Sequence, residues 1–208
     1  MDIALARDWV RAIAAAIAGQ VDYLTLLDAA IGDADHGVNM HRGFTAALAD
    51  LEDPRDRTAG DVLVRVGNHL FANVGGAAGP LYGAAFRAIG KALDEPVADS
   101  KQLLAAFAEG LAAIQRLGAA VPGDKTIVDA YTPAMAAFDQ ALSAGASLAT
   151  AAARAADAAE AGMRATTPLQ ARKGRASYLG PRSMGHQDPG ATSTALIFRA
   201  FAQATAES

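Results

Sequence analysis

About a quarter of the 208 residues are alanine, while aromatic residues make up 6% of the chain and β-branched residues are sparse. Alanine has the highest intrinsic helix propensity, and strands draw on the residue types that are scarce here. The chain is therefore expected to be all-α. Hydrophobic residues are 52% of it, and a chain of 208 residues buries a core without staples. That length suits a single domain over residues 1–208.

Several functional classes fall away on composition. There is no cysteine, hence no disulfide framework and no thiolate metal site. The net charge of −4 is spread along the chain, with no basic footprint for nucleic acid. No apolar run reaches the roughly 18–20 residues of a membrane span, and Met1-Asp2-Ile3 lacks the basic start of a signal peptide. A cytoplasmic protein with neither nucleic acid nor membrane as partner is the expectation.

Apolar residues at helical spacing predict helices over 3–18 and 21–31. Further helices are predicted from Asn39 to about Leu51, Ala59 to about Val74, Leu81 to Leu93 and Lys101 to Leu117. Asp124 is read as the cap of a helix running to about Leu142, followed by an alanine-rich helix from Ser147 to Ala165. Thr167-Pro168 is read as the start of a short helix. Lys173 to Gly190 is the longest irregular stretch, and Pro189 suits the first turn of a last helix to about Ala204. Short connections between helices imply antiparallel neighbours.

The polar residues that look costly collect between these helices. Asp28, Asp33 and Asp35 lie within eight residues, beside His36 and Asn39, and their charges repel unless a cation or hydrogen bonds compensate. Folding the loop back brings the carboxylates to one point, and oxygen-only ligation suits Mg²⁺. The competing reading is helix caps and Asx turns. Gly75-Gly76-Ala77-Ala78-Gly79 precedes a helix, where free N–H groups favour phosphate. It is neither a Walker A loop nor a dinucleotide fingerprint, and a tight inter-helix turn is the alternative. Lys173, Arg175, His186, Asp188 and Gly190 form a third cluster in a loop long enough to carry function. Gly118 with Gly123-Asp124-Lys125-Thr126 reads as one helix end followed by the next helix start.

Taken in order, Gly32-Asp33-Ala34-Asp35-His36-Gly37, Gly75-Gly76 with Gly79-Pro80-Leu81, Pro122-Gly123-Asp124-Lys125-Thr126, Lys173-Gly174-Arg175-Ala176-Ser177-Tyr178-Leu179-Gly180 and Gly185-His186-Gln187-Asp188-Pro189-Gly190 resemble the nucleotide-binding L subunit of dihydroxyacetone kinases. The resemblance runs from about residue 5 to residue 205. It implies an antiparallel up-and-down barrel of about eight helices with a nucleotide, ADP or ATP, held by loops at one end. It implies two Mg²⁺ ions on Asp28, Asp33 and Asp35. His36 and Asn39 are then phosphate contacts, Ala77 and Ala78 the glycine-loop contacts, and Gly118 and Ile127 borders of the base. Arg175 meets the phosphates and shares the catalytic role with His36, while Asp188, Pro189 and Gly190 close over the nucleotide.

Two residues depart from the family pattern: Ala78 stands where serine is common, and Pro181 where an acidic residue is common. The lost hydroxyl donor is worth about 0.5–1.5 kcal/mol if it bonds phosphate.

The family splits its chemistry. A K subunit holds dihydroxyacetone, and in the phosphoenolpyruvate-dependent type a phosphohistidine M subunit of the phosphotransferase system rephosphorylates bound ADP. The resemblance thus implies a kinase subunit that is inactive without partners. The alternative is the L subunit of an ATP-dependent kinase for dihydroxyacetone or another small ketose. A transcription regulator is a further partner that the resemblance suggests, and pairing with a second copy is left open.

Overall fold

The computed structural model describes residues 1–207, and among them it contains nine α-helices, one 3-10 helix and no strand. The α-helices are α1 (Ile3–Ala18), α2 (Val21–Ile31), α3 (His36–Ala49), α4 (Ala59–Asn73), α5 (Ala78–Lys91), α6 (Ser100–Gly118), α7 (Ile127–Ser143), α8 (Leu148–Ala165) and α9 (Pro189–Ala206). The 3-10 helix, Arg175–Ser183, lies between α8 and α9.

The first two helices span the predicted residues. Differences from expectation concentrate at helix starts and in the segment between α8 and α9. α3 starts at His36, not Asn39, because the Asp28 carboxylate on α2 accepts the N–H groups of Asp35 and His36 (2.9 and 3.2 Å). α5 starts at Ala78, not Leu81, and so places Pro80 in a first turn, where its missing N–H is not needed. α7 is capped by Thr126, whose hydroxyl accepts from Val128, while Asp129 completes the capping box. Asp124, expected to be that cap, instead turns back to accept the Val121 N–H at 3.0 Å. The helix expected at Thr167-Pro168 does not form; that stretch is a turn. The stretch expected to be irregular after Lys173 contains the 3-10 helix, which breaks at Gly180 (φ 55°).

Helices α3 to α9 pack in chain order, α1 packs on α3, and α9 packs back on α1, so the circuit of contacts closes on itself. α1 and α2 are separated by a two-residue break and meet at 63°. The C-terminal ends of α2, α4 and α6 and the N-terminal ends of α3, α5, α7 and α9 share one face of the molecule, so neighbouring helices alternate in direction.

The interior is organised around Trp9. Its ring stacks on Phe86 at 5.5 Å and meets Phe107 and Phe201 edge-on at 5.5 and 5.3 Å. Its indole N–H donates to the Ile197 carbonyl at 3.0 Å, which satisfies the one polar group of the ring. Elsewhere small residues bring helices close. Gly60 and Gly67 on α4 face Gly83 and Gly90 on α5 so tightly that a Cβ on Gly90 would stand 2.6 Å from the Gly60 carbonyl oxygen. On α8 the buried face is Ala151, Ala152, Ala155, Ala156 and Ala159, packed between α7 and α9. Among the described residues no single helix is long and apolar enough to cross a membrane.

Candidate functional site

The shared face carries a cleft of about 280 Å³, built from four alternate connections: α2–α3, α4–α5, α6–α7 and α8–α9. The acidic wall comes from the first. Asp28, in the last turn of α2, is buried, and its carboxylate packs against Gly32 so closely that a Cβ there would stand 2.8 Å from Asp28 Cγ. Ala34 then adopts a left-handed φ of 62°, an uncommon conformation for a residue with a side chain. The turn brings carboxylate oxygens of Asp28, Asp33 and Asp35 within 4.8 Å of one another. Such strain persists where the surroundings enforce it, often at functional sites.

Helix N-termini form the opposite walls. Gly75, Gly76 and Ala77 lead into α5, whose first turn receives no side-chain cap, leaving its N–H groups facing the cleft. Gly76 has φ 64°, and a Cβ on Gly75 would stand 2.8 Å from the Asn39 amide. The first turn of α9 also lines the cleft, capped by Asp188, which accepts from Ala191 N–H at 2.7 Å. Apolar surface between these termini comes from Ile31, Leu81, Ile114, Ala120 and Ile127.

Below the cleft a hydroxyl network joins α3, α5 and α9. His36 Nε2 lies 3.0 Å from Ser193 Oγ, and the Tyr82 hydroxyl reaches Ser193, Thr194 and the Gly190 carbonyl at 2.7–2.9 Å. Burial lowers the His36 pKa, against opposing pulls from Asp28, Asp35 and the Pro189 backbone, and so favours the neutral ring. Burial pushes the Asp188 carboxyl the other way, up to about 7. Arg175 is two-thirds exposed and pairs with Asp33 (Nε–Oδ2 3.0 Å), bringing the basic cluster to the acidic one.

Asp28, Asp33, Asp35, His36, Ala77, Ala78, Gly118, Ile127, Arg175, Asp188, Pro189 and Gly190 all line this cleft, as does Lys173. Asn39 does not: it sits behind Gly75, with its Oδ1 accepting from Arg42 at 2.7 Å. Lys125, which the sequence places at a helix start and in the Pro122–Thr126 string, is fully buried with its ammonium among backbone carbonyls. No local signal separates that lysine from an exposed one. His186, grouped with the site residues on sequence, does not line the cleft and contributes its carbonyl to that ammonium.

The DAK2 domain family model matches residues 30–203. The chain is 39% identical over 201 residues to the ADP-binding subunit of a PEP-dependent dihydroxyacetone kinase from Escherichia coli, covering 96% of each chain. It is 40% identical over 180 residues to the ADP-binding subunit of PEP-dependent dihydroxyacetone kinase 1 from Listeria innocua, covering 86% of this chain and 85% of that one. Its structure resembles that of the dihydroxyacetone kinase from C. freundii in complex with AMP-PNP and Mg²⁺, with a TM-score of 0.73, 26% identity, and coverage of 96% of this chain but 34% of that longer one. With the family model matching most of its length and these relatives about 40% identical along nearly all of it, the chain belongs to the DAK2 domain family.

Proposed function

We propose that this chain is the ADP-binding L subunit of a multisubunit dihydroxyacetone kinase, acting as one nucleotide-binding unit over residues 1–208. In this reading it relays a phosphoryl group from a phosphohistidine M subunit to dihydroxyacetone held on a K subunit. The observation that carries it is the convergence of Asp28, Asp33 and Asp35 on a cleft whose other walls are helix N-termini and basic side chains.

The donor set fits Mg²⁺: carboxylate oxygens alone, with neither cysteine nor a histidine in the cluster. The three aspartates would hold two ions, which, when bound, neutralise phosphate charge and polarise the transferring group. The remaining work falls to the chain itself. N–H groups at the start of α5 cradle phosphates despite the missing hydroxyl at Ala78. Arg175 and Lys173, which also line the cleft, offset phosphate charge. The His36 ring, held by Ser193 and kept neutral by burial, lines the cleft and would meet the phosphates. Leu81, Gly118 and Ile127 offer an apolar wall for the base, and the Asp188–Gly190 turn borders the nucleotide. Positioning and charge neutralisation of this kind make up most of the catalysis of phosphoryl transfer.

Calorimetry with ADP in the presence and absence of Mg²⁺ tests the reading. Asp33→Ala and Asp35→Ala should each lose Mg²⁺-dependent binding while helical circular dichroism is unchanged; unchanged affinity in both overturns the metal assignment. The nucleotide content of the desalted protein separates two modes. Near-stoichiometric ADP marks a retained cofactor and the phosphoenolpyruvate-dependent role. An empty protein that binds ATP reversibly marks an ATP-dependent ketose kinase, a mode favoured by the AMP-PNP bound to the C. freundii relative.

A further inference from the structure

Lys125 is a buried lysine in a place where the nucleotide reading assigns no task. Its side chain is 1% exposed, and its backbone holds a left-handed φ of 63° between Asp124 and the Thr126 cap. The ammonium donates to the carbonyls of Thr166 (2.9 Å), Leu169 (3.1 Å) and His186, with the Thr167 carbonyl at 3.5 Å. An ammonium has three N–H bonds, and three close carbonyls use them all. No proton remains for a phosphate, although the lysine borders the cleft.

The carbonyls are placed informatively. Those of Thr166 and Leu169 follow the end of α8, and that of His186 lies just before α9. The ammonium therefore gathers both ends of the 166–188 segment at one point. That segment supplies Lys173, Arg175 and Asp188 to the cleft. Neutral ties run alongside: Arg172 N–H to the Asp124 carbonyl (3.0 Å), Gly185 N–H to the Thr167 carbonyl (2.8 Å) and Asp188 N–H to Thr166 Oγ1 (3.0 Å). A buried ammonium must be fully bonded, and removing it would leave its acceptor carbonyls without a donor and close together.

We propose that Lys125 is a positioning residue for the phosphate-facing wall. Without touching the ligand, it clamps the 166–188 segment at both ends and thereby sets Arg175 and the first turn of α9. This deepens the nucleotide reading above and rests on it for its effect on affinity. The clamp itself is measurable without nucleotide.

The chain has four lysines, of which Lys125 alone is buried. In the unsubstituted protein with ¹⁵N-labelled lysine, one ammonium signal should persist at neutral pH through slow exchange with water. Absence of any such signal overturns the proposal and needs no variant to fold. Lys125→Met should keep helical circular dichroism and amide protection in α1, α4 and α5. It should lose protection across residues 170–187 and bind MgADP ten- to hundredfold more weakly. Unchanged protection of that segment, or equal loss throughout the bundle, overturns the clamp. Failure of the unsubstituted chain to bind MgADP would instead overturn the nucleotide reading, and the exchange pattern would still decide for or against the clamp.

Discussion

Asp188 shows how one buried group carries two opposing effects. As the cap of α9 it stabilises the helix start, and as a buried carboxyl it resists ionisation. Burial is the main cause of its rise to about 7; Lys125 opposes the rise and Asp129 adds to it. The folded form thus keeps this proton after the unfolded chain, with an ordinary value of 3.8, has released it. Stability from this group is greatest below about pH 4, declines as pH rises toward 7, and levels off above. Asp188→Asn retains an acceptor for the Ala191 N–H and does not titrate. Its melting temperature relative to the unsubstituted protein should therefore climb between pH 4 and 7 and then stay level. A difference that is constant with pH contradicts the buried-carboxyl account.

At the level of elements, the α4–α5 contact depends on glycine. A Cβ on Gly90 would stand 2.6 Å from the Gly60 carbonyl oxygen and 2.7 Å from the Val64 nitrogen, both backbone atoms that yield only if the helices separate. Overpacking of this kind costs about 1–3 kcal/mol, against a propensity gain of about 1 kcal/mol for alanine over glycine in a helix. Gly90→Ala should therefore lower stability by up to about 2 kcal/mol, at roughly 2–4 °C of melting temperature per kcal/mol. Gly19 is the contrast. It sits at φ −72° and a Cβ there meets nothing nearer than 3.5 Å, so Gly19→Ala should be neutral or slightly stabilising. Thermal melts of the two variants side by side separate close packing from helix propensity.

For the whole molecule, the proposed function makes this chain one part of an enzyme. The cleft at the shared face offers room for a nucleotide, whereas the second cavity, about 20 Å³ among Trp9, Phe86, Phe107 and Phe198, holds little more than one water. The purified chain alone is expected to phosphorylate no dihydroxyacetone, with turnover appearing on addition of a K-type partner and a phosphoryl donor. Robust turnover by the chain alone contradicts the split-enzyme reading.

The helical class and most element positions follow from local physics that a sequence displays: alanine propensity, apolar spacing, and caps such as Thr58 and Ser147 whose partners lie three residues away. The clustering of Asp28, Asp33 and Asp35 was legible from their spacing, and the structure brings their carboxylates together. Tertiary structure decided what depends on distant partners. Asp28 caps α3 from a neighbouring helix, so the start of α3 at His36 was hidden. Asn39 lies behind Gly75, which is 36 residues further along the chain, and so does not line the cleft. Lys125 became a buried ammonium because carbonyls 41, 44 and 61 residues further along the chain converge on it, and no local pattern records contacts over such separations.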